Sequence, residues 1–336
     1  MKGLTDIPGV RVGHVSDYEA ITGCTVILVE AGAIAGVNIG GSATGTQDLD
    51  VLNPNHVTPH IHAICLAGGS AFGLEAACGV RNYLEQKGIG FPTSATKVPI
   101  VPGAILYDLG IGKANVRPTR EMGEAAAKAA TSNAVPEGNV GAGTGATVGK
   151  IRGMGQAMKG GIGSFTVQLG PKVLVSALAA VNAIGDVIEP NTGRIVAGVR
   201  TTKDSREFLN AAETIRRGAA VPVNRGENTT LAIIATNARL SKPQASKLAA
   251  LAQHGMIRTI CPVHTISDGD IVFTLSLGSE TADFTALGVA AADALAAAIL
   301  RGVRSARTLG GIPGLLEKET GYFRERPIDR SIIANE

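Results

Sequence analysis

A hydroxyl residue at the mouth of a buried strand is a place where a chain can cut itself. Such a place stands at Asn228-Thr229-Thr230, where a polar connection, Asn224-Arg225-Gly226-Glu227, turns into Leu231-Ala232-Ile233-Ile234-Ala235. The apolar, β-branched run reads as a buried strand. Breaking the Asn228–Thr229 bond would make Thr229 a new N-terminus on a rigid element, its hydroxyl a nucleophile and its own α-amine the nearest base. An internal amide nitrogen is not basic, whereas a free α-amine titrates at about 7.7–8.0, near where a general base works best at neutral pH. A β-branched Thr also loses little χ1 freedom when its hydroxyl is aimed. The same tripeptide fits an N-glycosylation acceptor or a simple turn before a strand.

A second chemical feature is Pro262-Val263-His264-Thr265-Ile266-Ser267-Asp268-Gly269-Asp270, leading into Ile271-Val272-Phe273. Asp-Gly is a hairpin signal. Two carboxylates flanking a Gly can also act as a coupled pair, Asp268 or Asp270 orienting a nucleophile or amine while the other tunes it. The DxDxDG spacing and later Glu of a calcium loop are missing. Asn182, at the end of a very apolar run, is a turn former or a side-chain amide able to donate to an oxyanion.

Gly-rich segments are a third feature. Gly141-Ala142-Gly143-Thr144-Gly145-Ala146-Thr147-Val148-Gly149-Lys150 imitates a dinucleotide fingerprint, yet Pro136-Glu137-Gly138-Asn139 rather than a strand precedes it, and no P-loop Ser or Thr follows Lys150. Its glycines let backbone approach a ligand, with Lys150 beside it. Gly68-Gly69-Ser70-Ala71-Phe72 fails the nucleophile-elbow pattern because Phe72 takes the last Gly, and Ser70 reads as a helix cap. His60 and His62 lack a third metal ligand and read as surface histidines.

The elements that must position these groups alternate between short apolar runs and helical patterns. Strands are expected at Thr25–Glu30, Ala33–Asn38, Ile61–Leu66, Ser164–Leu169, Val173–Val181, Thr230–Thr236 and Ile271–Leu277. Helices are expected at Ala71–Gln86, Arg120–Ser132, Ser205–Arg217, Pro243–His254 and Thr281–Arg301, the fourth opened by Ser241 and Pro243. Strands apolar on both faces need cover on both sides, hence packed layers of sheet and helix. The 336 residues are 45% hydrophobic and 18% charged, with 44 Gly, 3% aromatics and no Trp, so the core is built from aliphatic side chains and Ala. A net charge of +3, scattered along the chain, gives no nucleic-acid footprint. No signal-peptide core opens the sequence, and Leu287–Leu300, interrupted by Asp293, reads as too short to span a bilayer. Four cysteines without CxxC spacing read as free thiols of a cytoplasmic protein.

Taken together these segments resemble the DmpA family of self-processing aminopeptidases (peptidase family S58), which includes β-aminopeptidases, L-aminopeptidase/D-amidases and nylon-oligomer hydrolases. The resemblance runs from Gly9-Val10-Arg11-Val12-Gly13-His14 through Gly68–Leu74, Gly143–Ala146, Lys159–Gly163 and Val181-Asn182. It closes with Asn228-Thr229-Thr230, Ala235–Ala238 and His264–Asp270. It implies an α/β chain folded as a four-layer αββα sandwich, similar to DmpA and ornithine acetyltransferase, with an N-terminal-nucleophile site. It implies one domain, residues 1–336, cut into 1–228 and 229–336, the processed units assembling as homotetramers. By position, Thr229 resembles the nucleophile, Asn228 the last residue before the cut, Asp268 and Asp270 the carboxylate pair, Asn182 the oxyanion donor and Lys150 a basic residue of the same site. No cofactor or metal, nucleic acid or membrane is implied; the substrate is a small peptide or amide. Thr with Asp-Gly-Asp is similar to the nylon-oligomer branch, so 6-aminohexanoate oligomers are a rival substrate. A catalytically silent binding protein of the same fold and an acetyl-transferring relative are two further readings. Where relatives often carry Gly-Thr-Arg-Glu-Thr-Asp, this chain reads Gly45-Thr46-Gln47-Asp48-Leu49-Asp50 and loses a cation near the presumed substrate region.

Overall fold

The computed structural model describes residues 1–218, 226–316 and 326–327. Asn224 and Arg225 of the connection before Thr229 thus lie outside the described residues. Nine strands carry the fold: β1 (Arg11–Asp17), β2 (Thr22–Ile39), β3 (Gly45–Gln47), β4 (Ile61–Ala67), β5 (Gly103–Ile105), β6 (Ile162–Leu169), β7 (Val173–Asn182), β8 (Thr229–Ala238) and β9 (Ile271–Glu280). The helices are α1 (Ala76–Gln86), α2 (Arg120–Lys128), α3 (Ala211–Arg216), α4 (Lys242–Thr259) and α5 (Phe284–Arg304).

Strand order is β6-β7-β8-β9-β2-β4-β5-β3, with β1 on the other edge of β2. The two runs expected at Thr25–Glu30 and Ala33–Asn38 are one strand. Its register on β4 shifts between Leu28 and Ala33, and beyond that point the strand pairs with β9 instead. β2 therefore belongs to two sheets. Side-chain alternation then sorts the core. Leu231, Ile233 and Ala235 of β8 and Phe273 of β9 meet Ile27, Ile64 and Leu66 across the space between the sheets. Ala232 and Ile234 point the other way, onto Leu248, Ala252, Leu295 and Ile299 of α4 and α5. On the far side, Val26, Ala63 and Cys65 pack on Val80 and Leu84 of α1 and Ala126 of α2. Three apolar interfaces make four layers, an αββα sandwich. Each fully buried aliphatic or aromatic side chain contributes roughly 1.5–3 kcal/mol relative to exposure.

Local signals explain where the helices begin. The Ser241 hydroxyl accepts from Gln244 N–H and the Gln244 side chain returns to Ser241 N–H, a closed capping box before Pro243. Asp283 caps Ala286 N–H at 2.8 Å, starting α5. That helix runs 21 residues and is long and apolar enough to cross a bilayer, but it is a mostly buried core helix lying on β6 and β7. Three expected helices shrink, that of Arg120–Ser132 ending at Lys128. Residues 70–75 form a 3-10 turn before α1, with Gly69 rather than Ser70 at the cap position and no side-chain cap bond. Of Ser205–Arg217 only Ala211–Arg216 is helical, begun by Asn210, whose side chain accepts from Glu213 N–H.

Candidate active site

The topology brings the chemically interesting segments to one end of one sheet. β8 and β9 are parallel, Leu231 opposite Ile271, so their N-termini lie side by side. β7 is antiparallel to β8, so its C-terminus arrives at the same end, with Asn182 opposite Thr229. The Thr147–Lys150 segment is tied to the turn after β7 by Gly149 N–H to Gly185 O and Lys150 N–H to Ile184 O, both 3.0 Å. Thr229, Asn182, Asp268, Asp270 and Lys150 are thus brought together from three strand ends and a loop.

The Asn228–Thr229 bond is buried, Asn228 being 0% and Thr229 1% exposed. Thr229 Oγ1 donates to the carbonyl oxygen of Asn228 at 2.5 Å. The same oxygen accepts from the Gly269 N–H at 2.7 Å. The bond therefore sits with its hydroxyl beside its own carbonyl and a fixed backbone dipole on the oxygen where negative charge would develop in an attack. Gly269 also leaves room. A Cβ there would lie 2.7 Å from both Thr229 Oγ1 and Ala43 O. Gly41 does the same at the end of β2, where a Cβ would lie 2.2 Å from Asp268 O.

Each aspartate has its own partners. Asp270 Oδ1 accepts from Thr230 N–H at 2.7 Å, while Oδ2 accepts from His264 N–H at 3.1 Å and lies 3.0 Å from His264 Nδ1. Asp268 Oδ2 accepts from the Thr265 hydroxyl at 2.6 Å and its N–H at 3.1 Å, and Oδ1 from Ile184 N–H at 3.3 Å. Burial, and then the charge of Asp270, push Asp268 above the ordinary carboxylate range, against the bonds from Thr265 and Ile184.

Lys150 Nζ donates to Asn182 O and Oδ1, both at 2.9 Å, and to Glu227 O at 3.2 Å. Burial brings this amine down to about 7, against the pull of Asp268, Glu227, Asp270 and Asp108. Asn182 Oδ1 also accepts from Thr147 N–H at 3.0 Å. Its amide Nδ2 donates to Tyr107 O at 3.0 Å and Glu227 O at 3.5 Å. In the continuous chain, then, the side chain expected at the oxyanion serves the carbonyl one residue upstream, and the donor on Asn228 O is the Gly269 backbone.

Three groups at this site escape a reading of side-chain types. Gly269 acts through its N–H and has no side chain to notice. His264 reaches Asp270 because its own backbone is left-handed, φ 54°. Thr265 stands three residues before Asp268, a spacing that closes a local side-chain turn and was a usable signal. Other motifs are occupied elsewhere. In the Gly141–Lys150 loop, Gly141 N–H goes to Ser16 Oγ and Ala142 N–H to Thr25 Oγ1, so these amides are not free to hold a phosphate. His62 Nδ1 accepts from Ile100 N–H. Near the departing Gly45–Asp50 segment, Asp48 pairs with Arg81 of α1 at 3.6 Å.

Known proteins carry related sequences on the same architecture. The family model of peptidase family S58 matches residues 2–316. An uncharacterized aminopeptidase of Mycobacterium tuberculosis is 38% identical, the match covering 96% of this chain and 99% of its own length. A 6-aminohexanoate-oligomer endohydrolase of Kocuria sp. (strain KY2) is 32% identical, over 89% of this chain and 85% of its own length. Among solved structures, the L-aminopeptidase D-Ala-esterase/amidase of Ochrobactrum anthropi, described as a variant of the Ntn hydrolase fold, aligns with a TM-score of 0.69 at 19% identity. That alignment covers 93% of this chain and 88% of the other, and shows a shared fold. With the αββα layers in place and the family match running nearly end to end, the chain belongs to peptidase family S58 and is a hydrolase of amide bonds.

Proposed function

We propose that this chain is a precursor that cuts itself between Asn228 and Thr229, and that the freed Thr229 is the nucleophile of an amide hydrolase working through an acyl-enzyme. One observation carries the reading: a buried hydroxyl 2.5 Å from the carbonyl oxygen of its own preceding residue, with a backbone N–H at 2.7 Å on that oxygen. In processing, Thr229 Oγ1 bonds to the Asn228 carbonyl carbon, the C–N bond breaks, and the nitrogen takes a proton to become the α-amine. Water then adds to the ester, the C–Oγ1 bond breaks, and an Asn228 carboxylate and the Thr229 hydroxyl remain. Lys150, brought to about 7 by burial, supplies a neutral amine near neutral pH for the first proton transfer. In turnover the α-amine takes over as base, Asp270 holds the Thr230 amide beside it, and Asn182 and Gly269 hold the oxyanion.

The substrate class is a short peptide or other small amide, in keeping with the aminopeptidase relatives. Hydrolysis of 6-aminohexanoate oligomers is the second reading, supported by the relative of that name at 32% identity. Fragments 1–228 and 229–336 remain one folding unit, the units pair into tetramers, and the enzyme works in the cytoplasm, where its four free thiols stay reduced. Intact mass and a denaturing gel test the cut, and light scattering the assembly. Two fragments meeting at Asn228/Thr229, and a single inert chain for Thr229→Ala, are expected. A lasting single chain whose activity survives Thr229→Ala refutes the mechanism. No activity together with tolerance of Asp268→Asn and Asp270→Asn would instead mark a silent binding protein.

A further inference from the structure

Every oxygen of Asp270 is held. Its main-chain carbonyl accepts from Gly40 N–H at 2.9 Å and Gly41 N–H at 3.2 Å, at the end of β2. Oδ1 accepts from Thr230 N–H at 2.7 Å, one residue past the Asn228–Thr229 bond. Oδ2 takes two partners from a single residue, His264, whose backbone N–H lies at 3.1 Å and whose ring Nδ1 lies at 3.0 Å. An ionised carboxylate only accepts, so Nδ1 carries the proton of that bond. The ring's other nitrogen, Nε2, is buried and has no hydrogen-bond partner among the described residues. His264 adopts φ 54°, a conformation that a non-glycine residue keeps only where its surroundings impose it. That conformation turns both the N–H and the ring onto one oxygen. Gly40 makes the room, since a Cβ there would lie 2.7 Å from Nδ1 and Cε1 of the ring.

We propose that His264 is a positioning residue of the processed enzyme, its paired donors fixing Asp270 so that the Thr229 α-amine stays in line once Asn228 no longer tethers it. The role rests on the Thr229 mechanism above. In the uncut chain Thr229 is tied covalently on both sides. Asn228 is itself anchored, its carbonyl by Gly269 N–H and its Nδ2 on Ser267 O at 3.3 Å. The cut removes one of the two ties. The new chain end then depends on its place in the ladder opposite Asn182 and on the bond from Thr230 N–H to Asp270. It also bears a primary amine, whose ammonium form attracts a carboxylate. With one donor fewer on Oδ2, Asp270 can turn about its terminal torsion toward that charge. It would then release Thr230 N–H and hold the amine as an ammonium, which cannot act as the base. Two donors from one residue set the plane of the carboxylate and oppose that turn. Asp268 is held separately, by Thr265 and Ile184. The arrangement is a base oriented by further groups, here carried one residue along the strand.

The test follows the full-length chain with His264→Gly, His264→Asn and Gly40→Ala. Glycine removes the ring and accepts the left-handed backbone freely. Asparagine also tolerates that backbone, and its Nδ2 stands where the ring has Nδ1. A purely conformational role is therefore met by both residues, and a donor role by asparagine alone. Processing is read as loss of the precursor band after a pulse of synthesis. Turnover is read as kcat and KM on whichever of alanine p-nitroanilide and a linear 6-aminohexanoate oligomer the wild-type enzyme cleaves faster. His264→Gly should cut itself at close to the wild-type rate, because both covalent ties are then still present. The processed variant should lose about 10–100-fold in kcat with little change in KM. His264→Asn should regain most of that loss. Gly40→Ala keeps His264 but crowds its ring, and should lose kcat in the same way. Wild-type kcat in His264→Gly, an asparagine variant no better than glycine, or a loss that falls on KM or on the cut itself overturns the assignment. A wild-type chain that stays uncut, cleaves neither amide or keeps its activity in Thr229→Ala overturns the underlying mechanism instead. Intact mass and rates of the wild-type protein tell the two failures apart.

Discussion

Gly269 is the position where a single methyl group tests the whole arrangement. In Gly269→Ala the new Cβ would sit 2.7 Å from Thr229 Oγ1 and 2.7 Å from Ala43 O, with Ala43 C at 3.0 Å, where ordinary contact begins at 3.4 Å. Thr229 Oγ1 and the Ala43 backbone must together yield by about 0.7 Å on each contact, and Ala43 is pinned by its N–H to Asp268 O at 2.9 Å. Overpacking of this kind costs about 1–3 kcal/mol. On the proposed mechanism the chemical effect is larger than the stability effect, because the contact falls on Thr229 Oγ1, the oxygen that would attack. A misplacement of about 1 Å in a reacting atom costs about 100-fold. Processing of Gly269→Ala should therefore slow by about one to two orders of magnitude while the chain still folds. The assay follows the precursor band on denaturing gels after a pulse of synthesis, with circular dichroism and urea unfolding recording the fold. Cutting at the wild-type rate by a folded Gly269→Ala chain would refute the claim that this backbone amide and the Thr229 hydroxyl share the Asn228 carbonyl.

Other substitutions separate the roles around that carbonyl. Asn182→Ala should still cut itself, since Gly269 N–H holds the Asn228 oxygen, but turnover by the processed enzyme should drop by about 100–1,000-fold, read as kcat on any accepted amide. Asp270→Asn places an amide NH2 against the N–H groups of Thr230 or His264; a loss of about 1–3 kcal/mol in urea unfolding and incomplete cutting are expected. Lys150 falls from 10.5 unfolded to about 7 folded, so between those pH values the folded chain binds fewer protons and stability rises with pH. Lys159, also brought to about 7 by burial, adds the same slope. On the uncut Thr229→Ala chain, Lys150→Met should remove about 1.4 kcal/mol per pH unit from the slope measured between pH 8 and 9.5. Ser241→Ala opens the capping box of α4, far from this chemistry, and should cost about 1 kcal/mol without altering the cut.

What could be read from residues alone was the part that side-chain type encodes. The two-faced apolar runs became β4, β6, β7, β8 and β9 within a few residues, because strands covered on both sides need no polar face. Glu30-Ala31-Gly32 broke the pattern of β2 and hid that one strand serves both sheets, which is a property of pairing and not of the strand. β1 was invisible because Arg11, His14 and Asp17 interrupt it; its order comes from pairing with β2 along its full length. The cluster of Thr229, Asn182, Asp268, Asp270 and Lys150 was legible as a set of residue types, but its spatial logic lay in strand direction. The assignment of the oxyanion to Asn182 could not foresee Gly269, since an amide donor that every residue but proline possesses leaves no mark in composition.

Strand direction also explains why the Asn228–Thr229 bond is buried. Parallel β8 and β9 and antiparallel β7 force Thr229, the carboxylates and Asn182 to one sheet end, and the chain entering β8 must then cross that same end. Glu227 and Asn228 lie in that crossing, their carbonyls accepting from Lys150, Asn182 and Gly269. In the continuous chain Thr229 is therefore almost wholly buried. The proposed cut would have two consequences from one bond. On the proposed mechanism it would make the α-amine that serves as base, and it would free the segment's new carboxyl end to leave the donors that hold it. On this proposal the uncut and the cut chain would be two states of one donor set, the first described by the bonds to Glu227 O and Asn228 O.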